Sequence, residues 1–426
     1  MPKNVSFLTL GCAKNEVDSA SMQQRLIEAG YRIVEIDEEP DCIVVNTCSF
    51  IQPAIEESLD VIFEIADEQA VRSGRCKLVV CGCMPSRFGE DLADELTEPD
   101  AFVPCKDEDG IVDLIDDLLG IESASAPAQV EFSFEPSEYV KISDGCNRFC
   151  SFCTIPFIRG RYHSYSYDEI ERDVERKIAG GTREIVLIAQ DSGIWGLDLS
   201  PRETLASLLE RLASAYPSTW FRVMYLQPAG MTDELLDVVA RHGNICSYFD
   251  IPLQHCDGEL LRSMNRQGDR ESIEAMLARV RTRIPDVVLR TTLIVGYPGE
   301  TDDQFEDLCD FVEDADFDYV GIFAYSREDG TKAAELPDQI DEDTKQERLQ
   351  TLRDIADSVS SARISRRIAT TCDVLVLGCE EDGQLYGRAQ SQAPEVDGVV
   401  YLDRGEVGDI VTVTIADTLL YEMEAQ

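Results

Sequence analysis

The chain has 426 residues, 44% of them hydrophobic, and its 38 basic and 83 acidic side chains give a formal net charge of −45. This length predicts two or three domains. The charge argues against a surface that binds nucleic-acid phosphates, and it favours a basic partner or a salt-rich cytoplasm. No apolar run approaches the roughly 18 residues of a membrane span, and the first residues do not open a signal peptide. We therefore expect a soluble, cytoplasmic protein without membrane contact, whose 15 cysteines serve metal binding or catalysis rather than disulfides.

The first domain, predicted over residues 1–121, alternates buried strands with helices. This order predicts a doubly wound parallel α/β sheet. The strand-like runs lie at 5–10, 42–46 and 77–80, and the helical stretches lie between Cys12 and Gly30, near 53–70 and near 88–96.

Three cysteines follow the three predicted strands. Cys12, Cys48 and Cys83 each lie just past a strand, and the carboxyl ends of parallel strands meet at one edge of a sheet. A three-thiolate site is therefore plausible there, although each cysteine taken singly could be a small buried hydrophobic residue. Cys81 competes with Cys83, since the two lie only two positions apart. Residues 122–134 are mostly small and polar, without periodicity, and predict a linker.

A second group of cysteines lies in one short segment. Cys146, Cys150 and Cys153 follow the strand-like run 139–142, so one loop can present three thiolates to one inorganic centre. A [4Fe–4S] cluster normally takes four thiolates, and three leave one iron free to bind something else. The alternative is a zinc site completed by His163, whose distance from Cys153 lies outside the usual ligand spacings.

Six strand candidates and the helices between them predict a second domain over residues 135–362. The strands are expected at 139–143, 183–189, 219–226, 248–253, 287–295 and 319–326. The helices are expected at 167–179, 203–215, 231–241, 271–283 and 301–315, with a long polar helix at about 341–368.

The cysteine spacing, with the aromatic Phe152 before Cys153, resembles the signature of the radical S-adenosylmethionine (SAM) superfamily. The resemblance implies an open (β/α)6 barrel and a [4Fe–4S] cluster whose free iron binds SAM. It also implies cleavage of SAM to a 5′-deoxyadenosyl radical, with the site at the carboxyl ends of the strands. The SAM-contact candidates that follow are Phe152, Gln190, Asp191, Arg222, Gln254, Arg290, Ile294 and Gly296. For the two arginines, a solvated or ion-paired side chain is an equally good interpretation.

The N-terminal cysteine motifs carry a narrower resemblance. The segments 11–15 with Asp18, 46–48 and 82–87 resemble the three motifs of the methylthiotransferase amino-terminal domain. This implies that Cys12, Cys48 and Cys83 hold an auxiliary [4Fe–4S] cluster whose open iron carries the sulfur to be transferred. The resemblance thus implies two clusters, with SAM as cosubstrate. Both clusters must reach one substrate atom, so we expect the first domain to pack over the barrel mouth.

The last segment, residues 363–426, alternates short apolar runs with Gly and Asp turns and predicts a small antiparallel β-barrel. It resembles the TRAM domain, which often binds RNA. Five arginines, no lysine and twelve acidic residues make RNA binding by this domain doubtful.

The segments 248–255, 323–331 and 393–401 resemble the methylthiotransferase branch that modifies a ribosomal protein, the RimO family. This implies methylthio transfer to the β-carbon of an aspartate in ribosomal protein uS12, with a low-potential electron donor such as flavodoxin or ferredoxin. Methylthiolation of tRNA adenosine is the enzymatic alternative. A metal-binding ribosome assembly factor, with zinc in the cysteine sites, is the non-enzymatic one.

Overall fold

The computed structural model describes residues 3–121 and 134–426. The predicted linker lies outside these residues, except for Phe134. Within the described residues, no helix combines the length and the apolar character needed to cross a membrane.

The first domain is built on a five-stranded parallel sheet of order β2-β1-β3-β4-β5. Its strands are β1 (Asn4–Thr9), β2 (Arg32–Ile33), β3 (Cys42–Thr47), β4 (Lys77–Gly82) and β5 (Ala101–Pro104). Its helices are α1 (Ala13–Glu28), α2 (Gln52–Asp67), α3 (Gln69–Arg72), α4 (Cys83–Phe88), α5 (Glu90–Glu95) and α6 (Ile111–Leu119).

Both faces of this sheet are covered by helices, as a doubly wound domain requires. Alternate residues of β3 point to opposite faces. Val44 packs with Leu26 of α1 and Ile111 of α6, and Val45 packs with Ile62 of α2. The predicted α/β architecture is confirmed, and every strand of the sheet ends at the same edge.

The second domain is an open half-barrel of six parallel strands, in the order β6-β9-β10 and β11-β12-β13. The two triplets are joined by a parallel bridge between Phe221 and Ile245. The strands are β6 (Ser137–Lys141), the short hairpin pair β7 (Ser143–Asp144) and β8 (His163–Ser164), β9 (Glu184–Ile188), β10 (Trp220–Val223), β11 (Tyr248–Gln254), β12 (Val288–Val295) and β13 (Tyr319–Ala324).

Helices cover the outer face of the half-barrel. Four begin with a capping box, in which the N-cap and N3 side chains satisfy each other's backbone N–H groups, as Ser166 and Glu169 do in α8. The helices are α7 (Ile155–Ile158), α8 (Tyr167–Ala179), α9 (Leu205–Ala215), α10 (Asp233–Arg241), α11 (Gly258–Ser263), α12 (Arg270–Arg283), α13 (Asp302–Ala315) and α14 (Glu342–Ser365). The other face of the strands lines the lumen.

The last domain is a closed five-stranded barrel of order β14-β15-β16-β18-β17. Its strands are β14 (Thr371–Cys379), β15 (Leu385–Ala389), β16 (Val400–Leu402), β17 (Ile410–Leu419) and β18 (Glu422–Ala425). Four of the five strand pairs are antiparallel, as expected, whereas β16 and β18 pair in parallel.

The last domain and the half-barrel share one hydrophobic core. Lumen residues such as Trp220 and Val288 pack with Val374 and Met423 of the small barrel. The small barrel therefore fills one end of the lumen. At the other end, Ala13 of α1 joins the same cluster, so the first domain lies over the carboxyl ends of the strands.

Candidate active site

The loop of residues 145–153, which we call the cysteine loop, follows β7 at the mouth of the half-barrel. It begins at Gly145, whose φ is 72°. A Cβ at this position would lie 2.3 Å from the carbonyl oxygen of Arg161, so only glycine fits. The sharp turn redirects the chain after the strand and places the three cysteines of the loop at the mouth.

The end of α11 supports the cysteine loop from one side. The Asn265 side chain donates hydrogen bonds to the carbonyl oxygens of Arg148 and Phe149, at 2.9 and 3.0 Å. The Ser151 N–H donates to the carbonyl oxygen of Met264 at 3.1 Å. Phe149 itself has a left-handed φ of 50°, which costs energy in a non-glycine residue. These bonds hold the strained loop in one conformation.

The thiols of the cysteine loop are crowded and partly buried. Burial and the neighbouring Cys150 and Cys146 raise the pKa of Cys153 to about 12, against a smaller opposing effect of a backbone hydrogen bond. Arg266 places Nη1 3.8 Å from the Sγ of Cys150. Thiolates in such a place need positive charge beside them, which bound iron supplies. The donor set fits an iron–sulfur cluster held by three thiolates.

Cys12, Cys48 and Cys83 converge at the carboxyl edge of the first sheet. Gly11 packs so closely on Cys48 that a Cβ there would lie 3.2 Å from its Sγ. Cys12 is the N-cap of α1, and its Sγ lies 3.6 Å from Oδ1 of Asn15. Arg159 places Nη2 3.4 Å from that oxygen and 3.7 Å from the Sγ of Cys83.

Cys81 lies apart from this group. It belongs to β4 and is fully buried in the hydrophobic cluster beneath α1 and α6, where burial raises its thiol pKa well above the ordinary value. Cys83 is the first residue of α4, at the edge of the sheet. The strand alternation therefore directs Cys81 into the core and leaves Cys83 with Cys12 and Cys48.

A buried charge cluster joins the two cysteine groups. Arg159 places Nη1 2.6 Å from Asp18 of α1 and 3.4 Å from Asp144. Lys141 bridges the same two carboxylates, at 2.5 and 2.8 Å. Burial by itself raises the pKa of Asp144, but Lys141 and Arg159 outweigh it and lower that pKa to about 2. The four charges fix the first domain against the loop that carries Cys146.

Two of the predicted SAM contacts end in unsatisfied buried atoms. Gln190 donates to Asp144, but its Oε1 has no partner among the described residues. Asp191 pairs with Arg148 at 2.6 Å, while its Oδ1 is buried and has no hydrogen-bond partner in the described part of the chain. Buried polar atoms are normally hydrogen-bonded, so both oxygens fit a site for a polar ligand.

Three further predicted contacts lie at the ends of β11 and β12. Gln254 ends β11 with a φ of 75°. Ile294 and Phe152 pack against the same small cluster, so the end of β12 meets the cysteine loop. Gly296 follows β12 with a φ of 71°, and a Cβ there would lie 2.4 Å from Cγ of Lys345.

Arg222 and Arg290 are engaged deeper in the lumen. Arg222 is fully buried and lies 2.8 Å from Glu184. Arg290 pairs with Asp250 at 2.9 Å and lies 3.5 Å from Asp397 of the small barrel. This geometry favours the ion-paired interpretation that the sequence left open for both arginines.

The described residues include no ready-made site for a single metal ion. Over residues 3–121 and 134–426, no group of three or more Cys, His, Asp or Glu side chains is gathered around one point as ligands of a metal ion. A [4Fe–4S] cluster does not need such a group, because its thiolates bind different irons and lie further apart.

Sequence reasoning missed the residues that position the cysteines. Asn15, Arg159, Asn265 and Arg266 contact the cysteines or their loops. Asn15 and Asp18 belong to the first cysteine motif, which was the available signal. Arg159, Asn265 and Arg266 act on partners distant in the chain, which no local pattern reveals.

Comparison with known proteins assigns all three domains. Residues 140–312 match the radical SAM superfamily, residues 4–104 match the uncharacterized protein family UPF0004, and residues 368–426 match the TRAM domain. Ribosomal protein uS12 methylthiotransferase RimO of Geobacter sulfurreducens is 41% identical, over 99% of this chain and 98% of that protein. The protein of the same name from Clostridioides difficile is 40% identical, over 98% and 97%.

Among solved structures, the fold resembles the radical SAM methyltransferase TsrM from Kitasatospora setae, which has cobalamin and a [4Fe–4S] cluster bound. The TM-score is 0.57 at 16% identity, covering 78% of this chain and 77% of that one. This likeness supports the fold alone. With the family matches, it establishes the fold class that the resemblance to the radical SAM superfamily implied.

Proposed function

Because the chain belongs to the RimO family of radical SAM methylthiotransferases, we propose that it transfers a methylthio group to the β-carbon of an aspartate in ribosomal protein uS12. The observation that carries the proposal is identity of about 40% over nearly the whole length of relatives bearing that name. The enzyme class, with an iron–sulfur cluster and SAM, belongs to the family. The substrate and the number of clusters are the proposed part.

We assign one [4Fe–4S] cluster to Cys146, Cys150 and Cys153, and a second to Cys12, Cys48 and Cys83. Two separate groups of three thiols support this count, and a cationic side chain lies within 4 Å of a sulfur in each, Arg266 in one and Arg159 in the other. In this family the bound cluster and SAM supply a 5′-deoxyadenosyl radical, which removes hydrogen from an unactivated carbon. An aspartate β C–H is too weakly acidic for removal by a side-chain base, so radical chemistry suits this substrate.

The chain's own residues position the two groups. The ion pair between Arg159 and Asp18 holds the edge of the first domain that carries the auxiliary cysteines against the cysteine loop. The unpaired oxygens of Gln190 and Asp191 can accept hydrogen bonds from the amino end of SAM. Gln254 and Gly296 lie at the ends of β11 and β12, where we place its adenosine.

The charge supports a basic protein substrate over tRNA. The net charge of the chain is −45, and the C-terminal domain carries five arginines and no lysine against twelve acidic residues. A TRAM domain that binds RNA should be basic. Modification of a ribosomal protein places the reaction in the cytoplasm, where a flavodoxin or ferredoxin supplies the electron.

Mass spectrometry of uS12 and of tRNA nucleosides, from cells with and without the gene, tests the proposal. We expect the methylthio mass on a uS12 aspartate to disappear with the gene, while the tRNA nucleosides stay unchanged. Loss of methylthio-adenosine instead would assign the tRNA reaction. Purification without oxygen separates the assembly-factor alternative, since a colourless zinc protein would contradict the enzyme.

A further inference from the structure

Lys14 is a buried cation without an ionic partner. Its side chain lies in the first turn of α1 and is 9% exposed. Among the described residues, no carboxylate lies within ion-pair distance of its ammonium group, and no hydrogen bond to it is present. A buried charge without a partner is costly. This unfavourable burial occurs in the first turn of α1, the helix whose N-cap is Cys12.

The ammonium group of Lys14 rests on the ring of Tyr225, with Nζ 3.3 Å from the ring centroid. Tyr225 follows β10 at the barrel mouth and has a left-handed φ of 63°. Its N–H donates to Asp250 of β11 at 3.1 Å, which holds it in that conformation. A cation–π contact provides part of the stabilisation that a carboxylate would give. An ammonium in this place is held ready for an anion.

The neighbours of Lys14 on α1 point elsewhere. Asn15 and Asp18 face the cysteines and Arg159, and Ala13 packs with Ile188 and Met224. Lys14 is thus directed towards the end of β10 and the lumen. Cys12 is the N-cap of the same helix, so an anion bound by Lys14 would lie at the end of α1 that carries this cysteine.

We propose that Lys14 binds the side-chain carboxylate of the substrate aspartate, an inference that rests on the proposed function. The carboxyl carbon of aspartate is bonded directly to the β-carbon. Holding the carboxylate therefore fixes the reacting carbon between the N-terminal end of α1 and Tyr225, and it orients the C–H bonds of that carbon. Lys14 is a specificity residue in this scheme, because asparagine has the same shape without the charge.

The test compares uS12 with a variant of uS12 in which the modified aspartate is asparagine. Binding of both fluorescently labelled proteins is measured by anisotropy with the iron-loaded enzyme and SAM, and methylthiolation gives kcat/KM for native uS12. The enzyme variants are Lys14→Met, Lys14→Gln and Lys14→Arg. The control is Lys106→Met, which removes an exposed lysine. Iron content reports folding and cluster loading in each variant.

We expect the wild-type enzyme and Lys106→Met to bind native uS12 about tenfold more tightly than the asparagine form. Lys14→Met and Lys14→Gln should bind both forms equally weakly and lose at least tenfold in kcat/KM, whereas Lys14→Arg should keep the preference. A preference that survives in both neutral variants overturns the inference, as does equal binding of both forms by the wild type. A wild-type enzyme that modifies tRNA and not uS12 overturns the proposed function itself, and that result requires no variant.

Discussion

Replacing Arg159 by Gln should weaken the attachment of the first domain to the cysteine loop. Arg159 is 2% exposed at its side chain and bonds Asp18 and Asp144. Breaking a buried ion pair costs about 3–5 kcal/mol. Because Lys141 still pairs with both carboxylates and the amide can donate one bond, we expect the lower end, about 3 kcal/mol.

The assay has a thermal and a chemical part, both on iron-loaded protein without oxygen. We expect a fall in Tm on the order of 5 °C. Misalignment of the two cysteine groups should also raise the ratio of 5′-deoxyadenosine to methylthiolated product. Arg161→Gln is the matched control, since Arg161 is exposed and lies over the ring of Phe149. Equal Tm and equal product ratio in the two variants would refute the role we assign to Arg159.

Three further changes test the site. Cys150→Ala should abolish SAM cleavage because one of three thiolates is lost, and normal 5′-deoxyadenosine formation would contradict the assignment. Cys83→Ala should leave SAM cleavage intact but stop sulfur insertion, whereas Cys81→Ala should leave both steps intact. Loss of the second cluster in Cys81→Ala alone would show that the wrong cysteine was chosen. Burial by itself raises the pKa of Glu184, but Arg388 and Arg222 outweigh it and lower that pKa from 4.5 to about 2. This shift corresponds to about 3 kcal/mol of stability for the folded protein. That stability is present above pH 4.5 and is lost as the pH falls towards 2, so Glu184→Gln should flatten acid unfolding monitored by tryptophan fluorescence in this range; identical acid transitions would contradict it.

Much of the fold follows from local pattern. The alternation of strands and helices predicted the half-barrel strands to within a few residues, as the run 248–253 shows against Tyr248–Gln254. Strand ends also predicted that Cys12, Cys48 and Cys83 share one edge, because parallel strands end together. In the last barrel, the apolar runs 372–377, 398–402 and 409–415 predicted three strands. Two others, Leu385–Ala389 and Glu422–Ala425, were missed, since both are short and carry polar residues.

The partners of buried charges could not be predicted. Arg222 and Arg290 were candidate SAM contacts because they lie on barrel strands. In the structure, Arg222 shares Glu184 with Arg388, and Arg290 lies near Asp397. Arg388 and Asp397 belong to the last domain, over a hundred residues further along the chain. Lys14 lies in the first cysteine motif, but the sequence assigned its side chain no role of its own. Only the packing of the three domains shows that Arg222 and Arg290 are paired, and that no carboxylate among the described residues lies within ion-pair distance of Lys14.

The first turns of α1 fix the spacing between an auxiliary-cluster cysteine, the ion pair that joins the two cysteine groups, and the ammonium group of Lys14. Within seven residues this rigid segment carries Cys12, Asn15 and Asp18, which face the cysteines and Arg159, and Lys14, which faces Tyr225. A helix cannot change these spacings without unwinding. If the first domain swung open to admit a protein substrate, all three alignments would be lost together.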